Sequence, residues 1–415
     1  SISSVTPQPV TQHGLRPNFS KRANRIRTQL INALDTPDIK TADAVAEGPI
    51  TNKINTSEGD KAHRADQARA TYGVDGTGVK IGVLSDGVDS LANRQATGDL
   101  PNIVTVLPGQ AGESGDDEGT AMLEIVYDLA PGAALLFATA FNGQASFAAN
   151  ILALRDAGAD VIVDDVGYFA EPVFQYSISA EAVNRVIADG ALYFSSAGNS
   201  GNLNDGESGV WEGDFVDGGP FFIEPNYLIH DFGGGTLSNE ITQTSSSLTP
   251  ITLHWSDPAG ASGNDYDLCS VDANFTTIFS CSTDIQDGND DPFEIIPQQP
   301  AGRHLVILNF NGAAAERFLH LNTNRGRLAL GTDGQTSGHS AAADAYSVAA
   351  VDVATATGDG GVFVGGATNP VETFSSDGLR RIFYEAGGTP ITPGDLSSTG
   401  GTVRQKPDIA AADGV

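Results

Sequence analysis

Four acidic or amide side chains stand where an apolar run ends or a helical pattern begins, places at which a fold can hold a polar group at the rim of its core. Asp86 follows an apolar run in Gly78-Val79-Lys80-Ile81-Gly82-Val83-Leu84-Ser85-Asp86-Gly87-Val88-Asp89. Glu118 opens Glu118-Gly119-Thr120-Ala121, and Asn199 sits in the glycine-flanked turn Ser195-Ser196-Ala197-Gly198-Asn199-Ser200-Gly201. Asp165 belongs to Val163-Asp164-Asp165-Val166-Gly167-Tyr168, where two adjacent carboxylates close an apolar strand. That arrangement is costly unless the pair is hydrated, partnered or functional. Such groups have a chemistry in common. A carboxylate can accept the proton of a hydroxyl nucleophile if a second group orients it. Two carboxylates held close cannot both ionise easily, so one retains a proton for a leaving group. A side-chain amide can donate to an oxyanion as it forms, and losing such a donor costs about 3–4 kcal/mol of barrier. Plainer readings stand beside these: Asp86 as a turn cap, Asp165 as a solvated strand end or helix cap, and Asn199 as a turn former.

The elements that must position these residues are legible as alternating patterns. Short apolar runs at Val79–Leu84, Ile103–Leu107, Ala134–Thr139, Val161–Val163 and Leu192–Ser196 predict buried strands. Between them Glu118–Leu129, Ser146–Ala157 and Ala180–Ala188 carry helical spacing, so the expected class is α/β, a parallel sheet with helices on both faces. Residues 1–45 read as a tail or prodomain remnant, with one short helix expected over Arg25–Leu34. Residues 46–201 form the first part of the α/β domain. From 202 to 330 the pattern changes to strand-like alternation broken by Gly, Asn, Asp and Pro, as in Ile251–Trp255 and His304–Phe310, which predicts an inserted all-β sandwich. Tyr346–Val353 then resumes the buried-strand pattern, and 331–415 is expected to complete the first domain.

Composition narrows the partners. With 52 Asp and Glu against 22 Lys and Arg, the 415-residue chain carries a net charge of -30, which argues against a phosphate-backbone partner. No lysine lies between Lys80 and Lys406, a pattern that suits work outside the cell in acid or salt, although excess carboxylates also simply keep a surface solvated. There is no apolar run of about 18 residues, so no membrane span is expected. Cys269 and Cys281 fit one local disulfide and hence an oxidising compartment, with two buried free thiols as the alternative. A chain beginning at Ser1 rather than Met is expected to have been processed or trimmed, so the absence of a signal peptide says little about export.

Taken in order, the strand ending in Ser85-Asp86-Gly87, the helix start Glu118-Gly119-Thr120, the Ala197-Gly198-Asn199 turn and Lys406-Pro407-Asp408-Ile409-Ala410-Ala411 resemble the subtilisin-like serine peptidases over about residues 57–202 and 331–415. The resemblance implies a subtilisin-like fold and a secreted endopeptidase that cleaves peptide bonds through an acyl-enzyme. It places Glu118 where the family has its histidine, a carboxylate base of the kind used by the sedolisin relatives. Leu129-Ala130-Pro131-Gly132-Ala133 also resembles the end of the sedolisin helix, but Met122 occupies the position of the sedolisin aspartate. The second carboxylate is therefore expected from Asp86, with Asn199 in the oxyanion hole and Asp165 facing the cleft.

Three departures qualify that expectation. An ungapped comparison puts Ser85 at the family's catalytic aspartate and Asp86 one residue later, and successive strand residues face opposite ways unless the strand bulges or has ended. No Gly-Thr-Ser follows Pro407, so the nucleophile is expected beyond Val415, in a longer chain or in an associated C-terminal fragment. Ser340, beside His339 in Gly338-His339-Ser340-Ala341, is set aside because a strand pattern follows where a nucleophile needs a helix. The segment Leu253-His254-Trp255-Ser256-Asp257-Pro258 with Asn264-Asp265-Tyr266-Asp267-Leu268 resembles bacterial pre-peptidase C-terminal domains. Asp265 and Asp267 offer oxygens for Ca²⁺ but fall short of the roughly six to eight ligands it takes, so no metal and no cofactor is expected. The expected partners are a protein or peptide substrate and, where the serine is carried on a separate fragment, that fragment. A Glu118–Asp86 pair predicts an optimum at roughly pH 4–6. The alternative class is an inactive, subtilisin-shaped binding or scaffold protein.

Overall fold

The computed structural model describes residues 38–39, 55–310 and 312–415. They divide between two compact units. One comprises Val210–Gly331 and Gly394–Gly400; the other holds the described residues up to Gly209 together with Thr332–Pro393 and Gly401–Val415.

The second unit is built on a seven-stranded parallel sheet. Its strands are β1 (Lys80–Ser85), β2 (Val104–Val106), β3 (Ala134–Thr139), β4 (Val161–Asp164), β5 (Leu192–Ser196), β6 (Tyr346–Asp352) and β7 (Ile409–Asp413), in the spatial order β7-β6-β5-β4-β1-β3-β2. Every pairing in it is parallel. β1 and β3 are apolar on both faces because both faces are covered. Helix α1 (Glu118–Leu129) buries Leu123 against Val83, Leu135 and Phe137. On the other face α2 (Gln144–Asp156) and α3 (Ile178–Ala188) bury Phe147, Ile151 and Val183 against Leu84, Leu136 and Ile162. Ser177 starts α3 by accepting the Ala180 amide at 2.9 Å, satisfying one of the donors every helix start leaves unmet.

The chain passes from β1 to β3 and β2 on one side and to β4 through β7 on the other. Brackets of strand order of this kind open a crevice at the carboxyl ends of the central strands, the usual place for a site in an open parallel sheet. β7 is fastened beside β6 by a buried lysine, Lys406, whose Nζ donates to the Ala345 carbonyl at 2.6 Å and to Asp408 at 2.8 Å. Asp408 also accepts the Ser347 amide. Outside the main sheet, residues 38–39 pair antiparallel with Val166–Gly167, directly after Asp165.

The other unit is antiparallel. Val210–Asp214, Ile251–Trp255, Phe293–Ile296 and Phe318–Asn322 form a four-stranded sheet, and Tyr266–Val271, Ile278–Ser282 and His304–Phe310 lie in a seven-stranded one. Trp255, Leu253 and Leu319 of the first meet Tyr266, Leu268 and Ile307 of the second in one apolar cluster. Cys269 and Cys281 are direct cross-strand partners and form a disulfide. Because the bond closes a loop of 12 residues in sequence separation, replacing both cysteines by alanine should destabilise the protein by roughly 2–4 kcal/mol. The denaturant midpoint reads that loss, and an unchanged midpoint would contradict it.

The structure is therefore mixed α/β, a parallel sheet with separate antiparallel sheets. Among the described residues no helix is long and apolar enough to cross a membrane. The helix expected over Arg25–Leu34 and the tail expected over 1–45, residues 38–39 apart, lie outside the described residues.

Candidate active site

The carboxyl end of β1 and the first turn of α1 meet closely. A Cβ on Gly119 would lie 2.3 Å from the Phe137 ring and 2.5 Å from the Gly87 carbonyl oxygen, so the second residue of α1 has room only for glycine. That approach brings Glu118 to the strand end. The fully buried Ser85 donates its Oγ hydrogen to Glu118 Oε2 at 2.7 Å. Asp86, one residue on and beyond the end of β1, reaches the same turn of α1 through its main chain. Its Oδ1 accepts the Gly87 amide at 2.5 Å and the Gly119 amide at 3.2 Å. Burial raises the Asp86 carboxyl above its ordinary value, with the amides of Gly87, Gly119 and Glu118 pulling the other way. Asp86 thus grips the main chain of the first turn of α1, while Ser85 touches the Glu118 side chain.

Strand alternation explains the placement of Ser85. Val83 and Ser85 share a face of β1, and Val83 lies in the cluster that α1 covers. The sequence carried that signal, since the face of Val83 is the face of Ser85. It was missed because only the fold shows that α1 lies on that side. Met122, where the resemblance places a second helix carboxylate, packs against the same cluster.

The Asn199 turn stands at the end of β5. Gly198 takes φ 107°, a value that favours glycine, and its carbonyl accepts the Ser376 amide at 2.8 Å. Ser376 Oγ accepts the Ser200 amide at 3.0 Å, and the Gly201 amide reaches the Phe374 carbonyl at 2.8 Å. The turn is thus tied on both sides of Asn199. The side-chain amide of Asn199 has no hydrogen-bond partner among the described residues. It lines a cavity of ≈ 260 Å³ together with Asp165, Ser196, Phe374 and Asp413. Asn199 and Asp165 are accordingly at one cavity, and Ser85, Glu118 and Asp86 are together at the end of β1. Since β4 alone separates β1 from β5 in the sheet, the two groups stand on strands about 10 Å apart.

The neighbour of Asp165 serves otherwise. Asp164 accepts the Ser195 hydroxyl at 2.8 Å and faces His339 Nε2 at 3.2 Å, while His339 Nδ1 lies 2.9 Å from Glu171. Glu171 accepts the Ser177 hydroxyl. Burial alone would depress His339, but the Glu171 and Asp164 carboxylates outweigh it and hold the imidazole up at about 10. His339 is thus a buried cation between two carboxylates and sits beside Phe147, away from the surface. Ser340 is also buried and is engaged with the Ser196 carbonyl at 2.8 Å and Ser347 at 3.0 Å. Neither Glu171 nor this network drew notice in the sequence.

Asp265 and Asp267 lie in the antiparallel unit, Asp267 fully buried, and among the described residues no group of three or more His, Cys, Asp or Glu is placed to hold a metal ion. No family model matches this chain, and no curated protein matches it.

Proposed function

We propose that this chain is the larger part of a secreted serine endopeptidase of subtilisin-like fold with an inserted β-sandwich, cleaving peptide bonds through an acyl-enzyme. Glu118 is the general base, Asn199 donates to the oxyanion, and Asp86 positions Glu118 through the amides at the start of α1. Asp165 forms part of the wall of the cavity beside Asn199. The attacking group is a serine hydroxyl.

The observation that carries the reading is an oriented carboxylate and an unengaged amide donor at the carboxyl ends of β1 and β5 in one parallel sheet. A base and an oxyanion donor must flank the reacting carbonyl, and about 10 Å between their strands leaves room for a peptide unit and its hydrogen bonds. The pairing of residues 38–39 with Val166–Gly167 supports a peptide substrate, because it shows that an extended chain can add to the short strand that follows Asp165 by backbone hydrogen bonds. The disulfide is compatible with an oxidising, extracellular compartment.

Asn199→Ala should lower kcat about 100- to 1000-fold in the complete protein with KM little changed, since the amide acts only as charge develops on the carbonyl oxygen. The assay is hydrolysis of an uncharged peptide. Equal rates in the two proteins would remove Asn199 from the oxyanion site, and no hydrolysis by either would favour the binding or scaffold class.

A further inference from the structure

The antiparallel unit buries an acid where its pattern calls for an apolar residue. Glu294 stands directly opposite Leu253, so the two share a face of the four-stranded sheet, the face on which Leu253 and Ile296 join the apolar cluster. It is 1% exposed. Its hydrogen bonds among the described residues all come from one short stretch. The Ser282 hydroxyl donates to Oε2, and the Asp284 amide and Gln286 Nε2 both donate to Oε1 at 3.0 Å. Ser282 Oγ in turn accepts the Ile295 amide at 3.2 Å, so the loop Ser282–Gln286 is laid against the strand Phe293–Ile296 through this one side chain and its neighbour.

No Lys, Arg or His pairs with Glu294 among the described residues. The elements packed against it bring acids instead. Tyr266–Val271 carries Tyr266 and Asp267, and the chain after Ser282 carries Asp284, Asp287, Asp290 and Asp291, while the only titratable type on Ile278–Ser282 is Cys281, which is in the disulfide. His254 lies on the paired strand Ile251–Trp255 but opposite Phe293, hence on the other face of the sheet, with its ring 4.7 Å from that of Phe293. A carboxylate taken out of water without a cation is costly. Burial, and after it the charges of Asp267 and Asp284, push the Glu294 carboxyl well above its ordinary value of 4.5, against the pull of the Ser282 and Gln286 hydrogen bonds.

We propose that Glu294 is a proton-operated latch, which as a carboxylic acid holds the loop Ser282–Gln286 closed and on losing its proton to solvent opens that loop to water. In the closed form Oε1 keeps its two N–H donors and the proton sits on Oε2, facing the Ser282 hydroxyl. In the open form water solvates the carboxylate and the loop is free of it. The sign follows from linkage. Below about pH 4.5, the ordinary value, both forms hold the proton and the latch has its full strength. Above it the open form releases a proton that the closed form retains, so closure weakens as the pH climbs, until the closed carboxyl ionises as well. An ion-paired carboxylate behaves in the opposite way and loses its contribution in acid.

The test uses the full chain as wild type and as Glu294→Gln, with two readouts. The first is hydrogen exchange at the Asp284 amide, which opens with the latch. Relative to an unprotected amide at the same pH, its protection should fall in wild type by up to about tenfold for each pH unit above 4.5. In Glu294→Gln, which keeps Oε1 and cannot ionise, it should stay nearly level. The second is the infrared carboxyl band of protein labelled with ¹³C-glutamate. A protonated glutamic acid should persist in wild type at about pH 8 and be missing from Glu294→Gln. Level protection in wild type, or no protonated glutamate there, would overturn the proposal. So would an Asp284 amide less protected in Glu294→Gln than in wild type at that pH, the result expected if an ionised Glu294 holds the loop. Both wild-type readings stand by themselves if the variant does not fold.

Discussion

Glu118→Gln is expected to reduce kcat/KM of the complete protein about 100- to 10,000-fold, the usual cost of removing a general base. Glutamine keeps the size and the oxygen that Ser85 donates to, so the 2.7 Å contact and the start of α1 should persist. What it lacks is the capacity to accept a proton. The loss should appear in kcat more than in KM, because an unreacted substrate does not use the base. Near-normal turnover with an unaltered circular dichroism spectrum would move the base elsewhere. His339 is a poor candidate for that role, since two carboxylates already hold it as a buried cation.

His339→Leu should instead destabilise the fold by about 3–5 kcal/mol, because it leaves Asp164 and Glu171 buried without the charge between them. The effect has a defined pH course. The imidazole is held at about 10 in the fold, against an ordinary value of 6.5. A group raised on folding contributes its full stabilisation below the unfolded value and loses it as the pH climbs through the folded one. The gap between wild type and His339→Leu in equilibrium unfolding should therefore be widest below about pH 6.5 and narrow towards pH 10. A gap that stays constant over that range would mean that the imidazole packs as a neutral ring. The clamp also ties the segment Gly338–Ala341 to the end of β4, next to the cavity that Asn199 lines. Loosening it should widen the distribution of cavity geometries without touching the proposed base.

The regular elements were readable because local pattern and tertiary burial agree in them. Ala134–Thr139, Leu192–Ser196 and Glu118–Leu129 stand where the apolar runs and the helical spacing put them. Position along the chain likewise indicated that Glu118 opens a helix and that Asn199 lies in a turn beyond a strand. The partner of Glu118 was harder. Choosing between Ser85 and Asp86 requires the face of β1 on which α1 lies, a property of the packed sheet rather than of the run Val79–Leu84. Asp86 drew attention because carboxylates do more chemistry than hydroxyls, yet its charge is used on the amides of Gly87 and Gly119. The clamp around His339 was out of reach for a related reason. Asp164 and His339 are 175 positions apart, and no local spacing announces a contact at that range. The adjacent acids Asp164 and Asp165 looked alike in sequence, whereas one is fixed between Ser195 and His339 and the other borders the cavity.

The central claim is that a carboxylate at Glu118 activates a serine, and covalent labelling tests it most directly. The complete protein is treated with a peptidyl phosphonate, which reacts only with an activated serine, and its intact mass and labelled peptide are then determined. The account predicts one adduct, on a serine, forming at least about 100-fold more slowly in Glu118→Gln. A folded protein that takes up no label, or one that Glu118→Gln labels as fast as wild type, would contradict it.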